Sequence, residues 1–388
     1  MPRRVGGALH VEVDAIADAH DGHRVPACGL FGELLGAHPR QGGAGGRGGE
    51  RRGGGLFRRH QRSVPEVMTT DAAQRLALAA HLPTALDAVP TLSPDHRGKV
   101  RDVFALGADE LLLVATDRVS AFDVVLGTIP LKGQLLTEQS AFWLQRAAAV
   151  APTHLVERVD AAVLRCRRAE AFPIEIVVRG YLAGSLMREP PATRGRAYGL
   201  TIDPTIAPWA PFPTPVLTPT TKEAVGVHDQ PCSLDDLVAS GRLARHHVER
   251  VVELALALFR MGAAHADAQG LILVDTKYEM GLLHGEVCVI DEVHTADSSR
   301  FWVKATYAER IARGEPPEML DKENLRRWLL ARGFSGHGTP PALDDAIRVD
   351  VGAWYWDLTE RVVGAPFLPT AGGGARVAEV VRRFVPHG

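Results

Sequence analysis

The stretch that decides the fold occupies residues 271–281 and has the sequence Leu-Ile-Leu-Val-Asp-Thr-Lys-Tyr-Glu-Met-Gly. Its alternating pattern predicts a partly buried β-strand on which Asp275, Lys277 and Glu279 share one face. Three charges on one face of such a strand are costly unless they are paired or bind an ion. The strand is therefore either part of a binding site or a solvated edge strand with a ladder of salt bridges.

A second strand is predicted over residues 286–293, after the turn at Leu283-His284-Gly285, so that the two strands form a hairpin. We expect the simple register of this hairpin to bring Asp291 near Asp275. Carboxylates beside a lysine supply oxygen ligands for magnesium and an ammonium group for phosphate oxygens. The hairpin is thus predicted to lie in the active site of a magnesium-dependent enzyme that uses ATP.

Two glycine-containing stretches are further candidates for phosphate binding. Gly98 permits close backbone approach, and Lys99 and Arg101 alternate onto one face, although the chain has no GxxxxGK[ST] loop. In the second stretch, Arg179 lies near the end of the apolar strand predicted over 174–181, and Ser185 follows in a turn of small residues. Each stretch could equally be ordinary surface structure.

Polar stretches at 117–123, 218–229 and 291–302 each combine cationic, hydroxyl and carboxylate side chains within a short span. Each could bind a substrate or could simply be a loop with capping residues. The candidate residues in them are Arg118, Ser120, Asp123, Lys222, His228, Asp229, Asp291, Asp297 and Arg300.

Composition narrows the classes of function. The chain has 388 residues, 46% hydrophobic and 23% charged, as expected for a globular protein. Its net charge of −2 gives no field that favours nucleic acid or an anionic membrane. No apolar run of about eighteen residues predicts a transmembrane helix. The four cysteines form no CxxC pair, which indicates neither a zinc site nor a disulfide framework and favours a reduced, cytoplasmic setting.

Only six of the 44 cationic residues are lysines. A lysine retained in such an arginine-rich chain either marks a place that needs a compact ammonium group or reflects codon usage alone.

Residues 1–67 differ from the rest of the chain, because they are rich in glycine and arginine and lack lysine. They are interpreted as a disordered extension or as translated upstream sequence before a start at Met68, which we favour; acidic residues argue against a targeting peptide. Further on, strands precede helices without βαβ alternation, which predicts an α+β fold. The other predicted elements are helices over 72–88, 137–150 and 243–268, strands over 111–116 and 163–168, an ordered loop over 203–232, and mostly helices from 304.

Taken together, these stretches resemble the SAICAR synthase (phosphoribosylaminoimidazole-succinocarboxamide synthase) family of purine biosynthesis over about residues 93–368. Pro173–Ser185 fits the family pattern P-x-E-x-x-x-R-x-x-x-A-G-S. Asp275–Gly281 fits D-x-K-x-E-x-G, with Met280 where Phe or Ile is more usual. Thr218–Asp229 resembles the longer form of the family. Further similar blocks are Gly98–Asp102, Asp117–Asp123, Ile129–Gly133, Asp291–Trp302, Asp321-Lys322 and Leu358–Phe367.

The resemblance implies a two-lobed α+β fold related to protein kinases and ATP-grasp enzymes, with antiparallel sheets and C-terminal helices. It implies a β-rich lobe over 68–170, a central ATP- and substrate-binding lobe over 171–303 and a helical region over 304–388. It also implies a ligase that joins L-aspartate to carboxyaminoimidazole ribonucleotide (CAIR) with ATP and Mg²⁺ through an acyl phosphate. The products are SAICAR, ADP and phosphate. We expect a monomer or small homo-oligomer without nucleic-acid or membrane partners.

The resemblance also implies roles for the candidate residues. Lys277, Lys222 and Asp275 would form the catalytic group, and Glu279 and Asp291 would hold magnesium. The ATP phosphates would contact Lys99, Arg101, Lys222 and Lys277. The ribonucleotide phosphate would contact Arg179, Ser185 and Arg300, with Asp297 on the substrate side and, as weaker candidates, Arg118, Ser120, Asp123, His228 and Asp229.

Two alternatives remain at this point. A different ATP-dependent enzyme on the same scaffold would keep the hairpin but lack the ribonucleotide phosphate site at Arg179, Ser185 and Arg300. A non-catalytic binding protein would have lost the carboxylates Glu279 and Asp291, and both are present. Phosphotransfer to protein is disfavoured, because no HRDxxxxN or DFG block occurs.

Overall fold

The structure, a computed structural model, describes residues 72–222 and 229–385. Within these ranges every pairing between named strands is antiparallel. The strands are β1 (His96–Arg97), β2 (Arg101–Leu106), β3 (Glu110–Ala115), β4 (Arg118–Ala121), β5 (Val124–Thr128), β6 (Leu155–Asp160), β7 (Val163–Arg167), β8 (Glu170–Ala171), β9 (Ile174–Tyr181), β10 (Pro211–Thr221), β11 (Leu271–Leu283), β12 (Glu286–Ile290) and β13 (Ser299–Val303).

The helices are distributed unevenly, and the later part of the described chain is mostly helical, which confirms the prediction for residues from 304 onward. Together with the antiparallel sheets, this distribution confirms the predicted α+β class. Among the described residues, no helix is both long and apolar enough to cross a membrane. The helices are α1 (Ala72–His81), α2 (Lys132–Ala147), α3 (Gly184–Arg188), α4 (Leu234–Ala239), α5 (Arg245–Ala268), α6 (Lys304–Ala312), α7 (Glu323–Leu330), α8 (Asp345–Val363) and α9 (Gly373–Phe384).

The first sheet has the strand order β1-β2-β3-β7-β6 and is covered on both faces. Alternate side chains of β3 point to opposite faces, so Leu112 and Val114 pack in one apolar cluster while Leu113 packs in another. The cluster around Leu112 includes Val377 and Val381 of α9. The last helix therefore packs onto the first sheet, and the predicted division into three regions stays a prediction.

The second sheet is organised around β11, which is long enough to pair with four strands. On one side β11 pairs with β9 and β8, and on the other side with β13 and β12. Asp275 lies opposite both Arg179 of β9 and Arg300 of β13. The helix α5 packs its apolar face, including Ala255 and Leu258, within the main core beside this sheet. The strand order thus brings residues from three separate parts of the chain to the centre of β11.

The hairpin of β11 and β12 is confirmed, but the predicted contact of Asp291 with Asp275 is wrong. Glu279 lies opposite Ile290, so Asp291 follows at the level of Tyr278 and Glu279. The turn is the two-residue His284-Gly285, and both residues have positive φ (54° and 84°), as a type I′ turn requires. This short turn fixes the register and leaves Asp275 to pair with other strands.

Three predicted elements have other bounds in the structure, two of them because of proline. Residues 211–221 form β10 and not part of a loop. β10 is an edge strand with β9 as its one neighbour in the sheet order, so the N–H groups that its prolines lack are not needed for pairing on a second side. The helix α1 ends at His81 and not at 88, because Pro83 disfavours helical geometry at the residue before it. The helix α2 begins at Lys132, five residues before the predicted start at 137.

Candidate active site

Lys277 lies between two glutamates at the centre of the second sheet. Its Nζ donates to Oε1 of Glu175 on β9 at 2.7 Å and to Oε1 of Glu279 on its own strand at 2.8 Å. Lys222, just after β10, also forms an ion pair with Glu279. Adjacent antiparallel strands thus bring two ammonium groups and two carboxylates together, as the face shared by Lys277 and Glu279 predicts.

The charges in this group set the protonation of Glu279. Burial alone would raise its pKa, but the ammonium groups of Lys277 and Lys222 outweigh burial and hold the pKa well below its usual range. Burial raises the pKa of Glu175, and this is only partly opposed by Lys277. Glu279 is therefore an ionised carboxylate, while Glu175 supports Lys277 from the neighbouring strand.

A second group centres on Asp275, two residues before Lys277. Arg179 donates from Nη1 to Oδ2 of Asp275 at 2.9 Å, and Arg300 donates to both Oδ1 (3.0 Å) and Oδ2 (2.8 Å). Arg179 also donates to Oγ1 of Thr218 (2.9 Å) and to Oγ of Ser185 (3.2 Å). Asp275 is almost fully buried, and its oxygens are taken by two arginines. Asp275 thus orients two arginines, and its predicted catalytic role stays a prediction.

The small-residue turn before α3 allows Arg300 to approach closely. Gly184 has φ of +59°, and a Cβ on it would lie 2.6 Å from the guanidinium carbon of Arg300. Such a distance is shorter than any normal carbon contact, and Arg300 is held by Asp275 and, at 3.3 Å, by Glu323. The Ala-Gly-Ser sequence therefore needs glycine at 184 for both its backbone conformation and its space.

Arg101 links the first sheet to the end of β12. It forms ion pairs with Asp291 and with the buried Glu292. Asp291 has a φ of 63°, a left-handed conformation that is uncommon for a residue other than glycine and is often found at functional sites. Asp291 thus lies beside the hairpin, with a cation from the other sheet.

Asp297 belongs to a third, deeply buried group. Oδ2 accepts from Nζ of Lys132 at 2.7 Å, and Oδ1 accepts from the hydroxyl of Tyr355 at 2.5 Å. Nζ of Lys322 lies 3.6 Å from Oδ1. Burial would raise the pKa of Asp297, but Lys132 and Lys322 hold it well below its usual range. Asp297 is accordingly an anion that is balanced within the protein.

Some predicted contacts to substrate are not supported by the geometry. Arg118 is buried and donates to Asp102 (2.7 Å) and to the backbone carbonyls of Gly98 (3.0 Å) and Lys99 (3.2 Å). Its guanidinium therefore braces the Gly98 turn, and its contact with substrate stays a prediction.

The other weaker candidates lie near that turn or near β9. Ser120 is buried on β4, whereas Asp123 is exposed in the turn after β4 and pairs with Lys99. Asp229 is close enough to Glu175 for its charge to raise the pKa of that carboxyl. His228 lies outside the described residues.

Several residues of these groups were not predicted as site residues. Glu175 lies within the family pattern, and Lys132 and Lys322 are among the six lysines, so a signal existed for these three. Tyr355 on α8 had no signal, because it approaches Asp297 only through the packing of a distant helix. The complete set of missed residues is Lys132, Glu175, Thr218, Glu292, Lys322, Glu323 and Tyr355.

Glu279 and Asp291 remain the candidates for a metal ion. In the described ranges no three acidic, histidine or cysteine side chains are grouped as a metal cage. Two carboxylates near the end of one hairpin nevertheless fit magnesium, since Mg²⁺ commonly takes one or two protein carboxylates and completes its shell with water and phosphate oxygens. The donor chemistry therefore fits a magnesium ion that is shared with a phosphorylated ligand.

Comparison with known proteins gives a consistent result. The family model described as SAICAR synthetase matches residues 95–339. The phosphoribosylaminoimidazole-succinocarboxamide synthase of Cytophaga hutchinsonii is 41% identical over 275 residues, which cover 70% of this chain and 88% of that protein. The corresponding enzyme of Bacteroides thetaiotaomicron is 37% identical over 295 residues, 75% of this chain and 94% of that protein.

Solved structures show the same fold. The SAICAR synthase from Saccharomyces cerevisiae complexed with SAICAR has a TM-score of 0.63 and 32% identity, covering 73% of this chain and 98% of that one. A type-2 SAICAR synthetase in complex with ADP has a TM-score of 0.55 and 22% identity, covering 70% of this chain and 99% of that one. The second likeness concerns the fold alone.

Proposed function

Because the chain belongs to the SAICAR synthetase family, we propose that the groups around Lys277 and Asp275 are the nucleotide and ribonucleotide parts of one active site. The activity of the protein is that of a phosphoribosylaminoimidazole-succinocarboxamide synthase, a ligase of purine biosynthesis. The observation that carries the assignment of the two parts is their placement at alternate positions of β11, with separate partners for Asp275 and for Lys277.

The substrates in this proposal are ATP, L-aspartate and CAIR. The carboxylate of CAIR attacks the γ-phosphorus of ATP, a bond from that phosphorus to the β-γ bridging oxygen breaks, and ADP leaves. The amine of aspartate then attacks the acyl carbon, a carbon–nitrogen bond forms, inorganic phosphate leaves and the amine loses a proton. Both steps gather negative charge, so fixed cations and positioning supply most of the catalysis.

The nucleotide part contains the cations that would contact the ATP phosphates. Lys222 and Lys277 converge on Glu279, and Arg101 reaches Asp291 from the first sheet. Glu279 and Asp291 are the residues that would hold Mg²⁺, which supplies positive charge to phosphate oxygens when it is bound. Lys99 is assigned to the same phosphates from the turn that Arg118 braces. Ser120, Asp123, His228 and Asp229 stay the weaker candidates for contacts with substrate.

The ribonucleotide part consists of Arg179, Ser185 and Arg300. Asp275 fixes both guanidinium groups, and the hydroxyl of Ser185 lies next to Arg179. Planar guanidinium groups suit phosphate because they offer paired donors in a fixed geometry. This arrangement supports a substrate acid that carries a ribonucleotide phosphate. An acid without a phosphate would need no phosphate site here.

The assay that tests the proposal omits ATP, aspartate and CAIR in turn while SAICAR and ADP are measured. We expect both products only when all three substrates and magnesium are present. Release of ADP with a different carboxylate and not with CAIR would favour the alternative enzyme on the same scaffold. The test also covers magnesium, since removing it with a chelator should stop ADP release and restoring it should recover the rate.

The setting of the enzyme is also a proposal. Cys166, Cys232 and Cys288 are buried free thiols, which supports a reduced, cytoplasmic compartment. A monomer or small homo-oligomer remains our expectation, to be measured by light scattering.

A further inference from the structure

Lys322 lies in a turn that is tied to the ribonucleotide part of the site. Asp321 accepts from the backbone N–H of Phe301 on β13 at 2.9 Å and from that of Glu323 at 2.7 Å. Glu323 in turn contacts Arg300 at 3.3 Å. Both neighbours of Lys322 are therefore anchored to β13, and the position of its backbone is fixed relative to Arg300.

The ammonium group of Lys322 lacks a full partner within the described part of the chain. Its side chain is only 11% exposed, and Oδ1 of Asp297, at 3.6 Å, is the one carboxylate oxygen in ion-pair range. This distance is too long for a hydrogen bond. Both oxygens of Asp297 already accept hydrogen bonds from Lys132 and Tyr355. The charge of Lys322 is thus left largely uncompensated.

The other charges around Lys322 do not remove this imbalance. Lys132 and Arg326 are cations, and Glu292 is already paired with Arg101. Burial lowers the pKa of Lys322 to about 8, with a contribution of opposite sign from Asp297. A buried cation in such surroundings is stabilised when an anion binds beside it.

We propose that Lys322 binds a carboxylate of one of the two acids that the reaction joins, L-aspartate or CAIR. The inference deepens the proposed function and rests on it. Nζ of Lys322 lies 3.6 Å from Oδ1 of Asp297, and the next residue, Glu323, contacts Arg300. A carboxylate beside Lys322 would therefore lie near the ribonucleotide part of the site. A compact ammonium suits a single carboxylate oxygen.

The test uses Lys322→Met, which keeps the length and apolar stem of the side chain but removes the charge, and Lys322→Arg, which keeps the charge. We expect Lys322→Met to raise KM about 10- to 100-fold for one acid, as for loss of a hydrogen bond to a charged group. The KM for ATP should stay within about threefold of the wild-type value. The acid whose KM rises identifies the ligand, and Lys322→Arg should recover part of the affinity.

Thermal unfolding and calorimetry separate this role from a structural one. Because Lys322→Met removes an uncompensated buried charge, its melting temperature should equal or exceed that of the wild type. Calorimetric titration of each acid alone should show the same loss of affinity as KM. Unchanged affinity for both acids would overturn the inference. So would a lower melting temperature together with a lower kcat and unchanged KM values for both acids.

The two proposals fail in different ways. If the wild-type enzyme forms no SAICAR from ATP, aspartate and CAIR, the proposed substrates are wrong, whatever Lys322→Met does. If the wild type is active and Lys322→Met binds both acids normally, only the role of Lys322 is wrong.

Discussion

Arg179 lies directly opposite Asp275 across the pairing of β9 with β11, and its Nη1 donates to Oδ2 of that carboxylate at 2.9 Å. Arg300 reaches the same carboxylate from β13 on the other side of β11. A single buried carboxylate therefore orients two guanidinium groups from separate strands. Removing its charge would leave both cations without their shared partner, which is costly in a buried site.

We expect Asp275→Asn to raise the KM for CAIR at least about tenfold, because the asparagine cannot balance or orient both arginines. The free energy of unfolding, measured in urea, should fall by about 3 kcal/mol, in the range for a broken buried ion pair. The KM for ATP is the internal control. A variant with wild-type affinity for CAIR would contradict the positioning role of Asp275.

Lys277→Ala and Glu279→Ala should each abolish ATP-dependent SAICAR formation while circular dichroism and the cooperative unfolding transition are retained. Lys277 is the ammonium between two glutamates, and Glu279 is the ionised carboxylate assigned to magnesium. Lys304→Ala is the matched control, since Lys304 forms an exposed pair with Asp267, and it should leave the activity unchanged. Activity within tenfold of wild type in either site variant would argue against the nucleotide assignment.

Gly184→Ala should weaken CAIR binding, because the added Cβ would lie 2.6 Å from the guanidinium of Arg300, which Asp275 holds in place. We expect a KM for CAIR raised by about tenfold or more, corresponding to a displaced charged hydrogen bond. Gly314→Ala is the control, because Gly314 also has positive φ (+69°) but open space around it. It carries the same backbone strain, so loss of CAIR affinity in both variants would indicate a general effect on stability.

The affinity for the acid held by Lys322 should depend on pH. Its pKa of about 8 in the free protein means that the ammonium form predominates below pH 8 and is lost above it. A bound carboxylate favours the protonated form, so the dissociation constant should rise by up to about tenfold per pH unit above 8. Lys322→Arg should make the profile flat between pH 7 and 9.5, because arginine stays protonated. A wild-type profile that is already flat would exclude this dependence.

Local sequence patterns determined the elements that carry the site. Alternation over residues 271–281 predicted β11 and the shared face of Asp275, Lys277 and Glu279, because side chains of a strand alternate whatever surrounds it. The two-residue turn at His284-Gly285 likewise follows from local backbone geometry. The order of strands and helices gave the α+β class, and the motif blocks gave the family.

Only the tertiary structure decided which charges act together. Asp275 pairs with Arg179 and Arg300, whereas Lys277 pairs with Glu175, 102 positions earlier in the chain. Such partners depend on strand order and register, which the alternation of a single strand does not encode. The same applies to Lys322. Its pairing with Asp297 is incomplete because both oxygens of that carboxylate already accept hydrogen bonds from Lys132 and Tyr355.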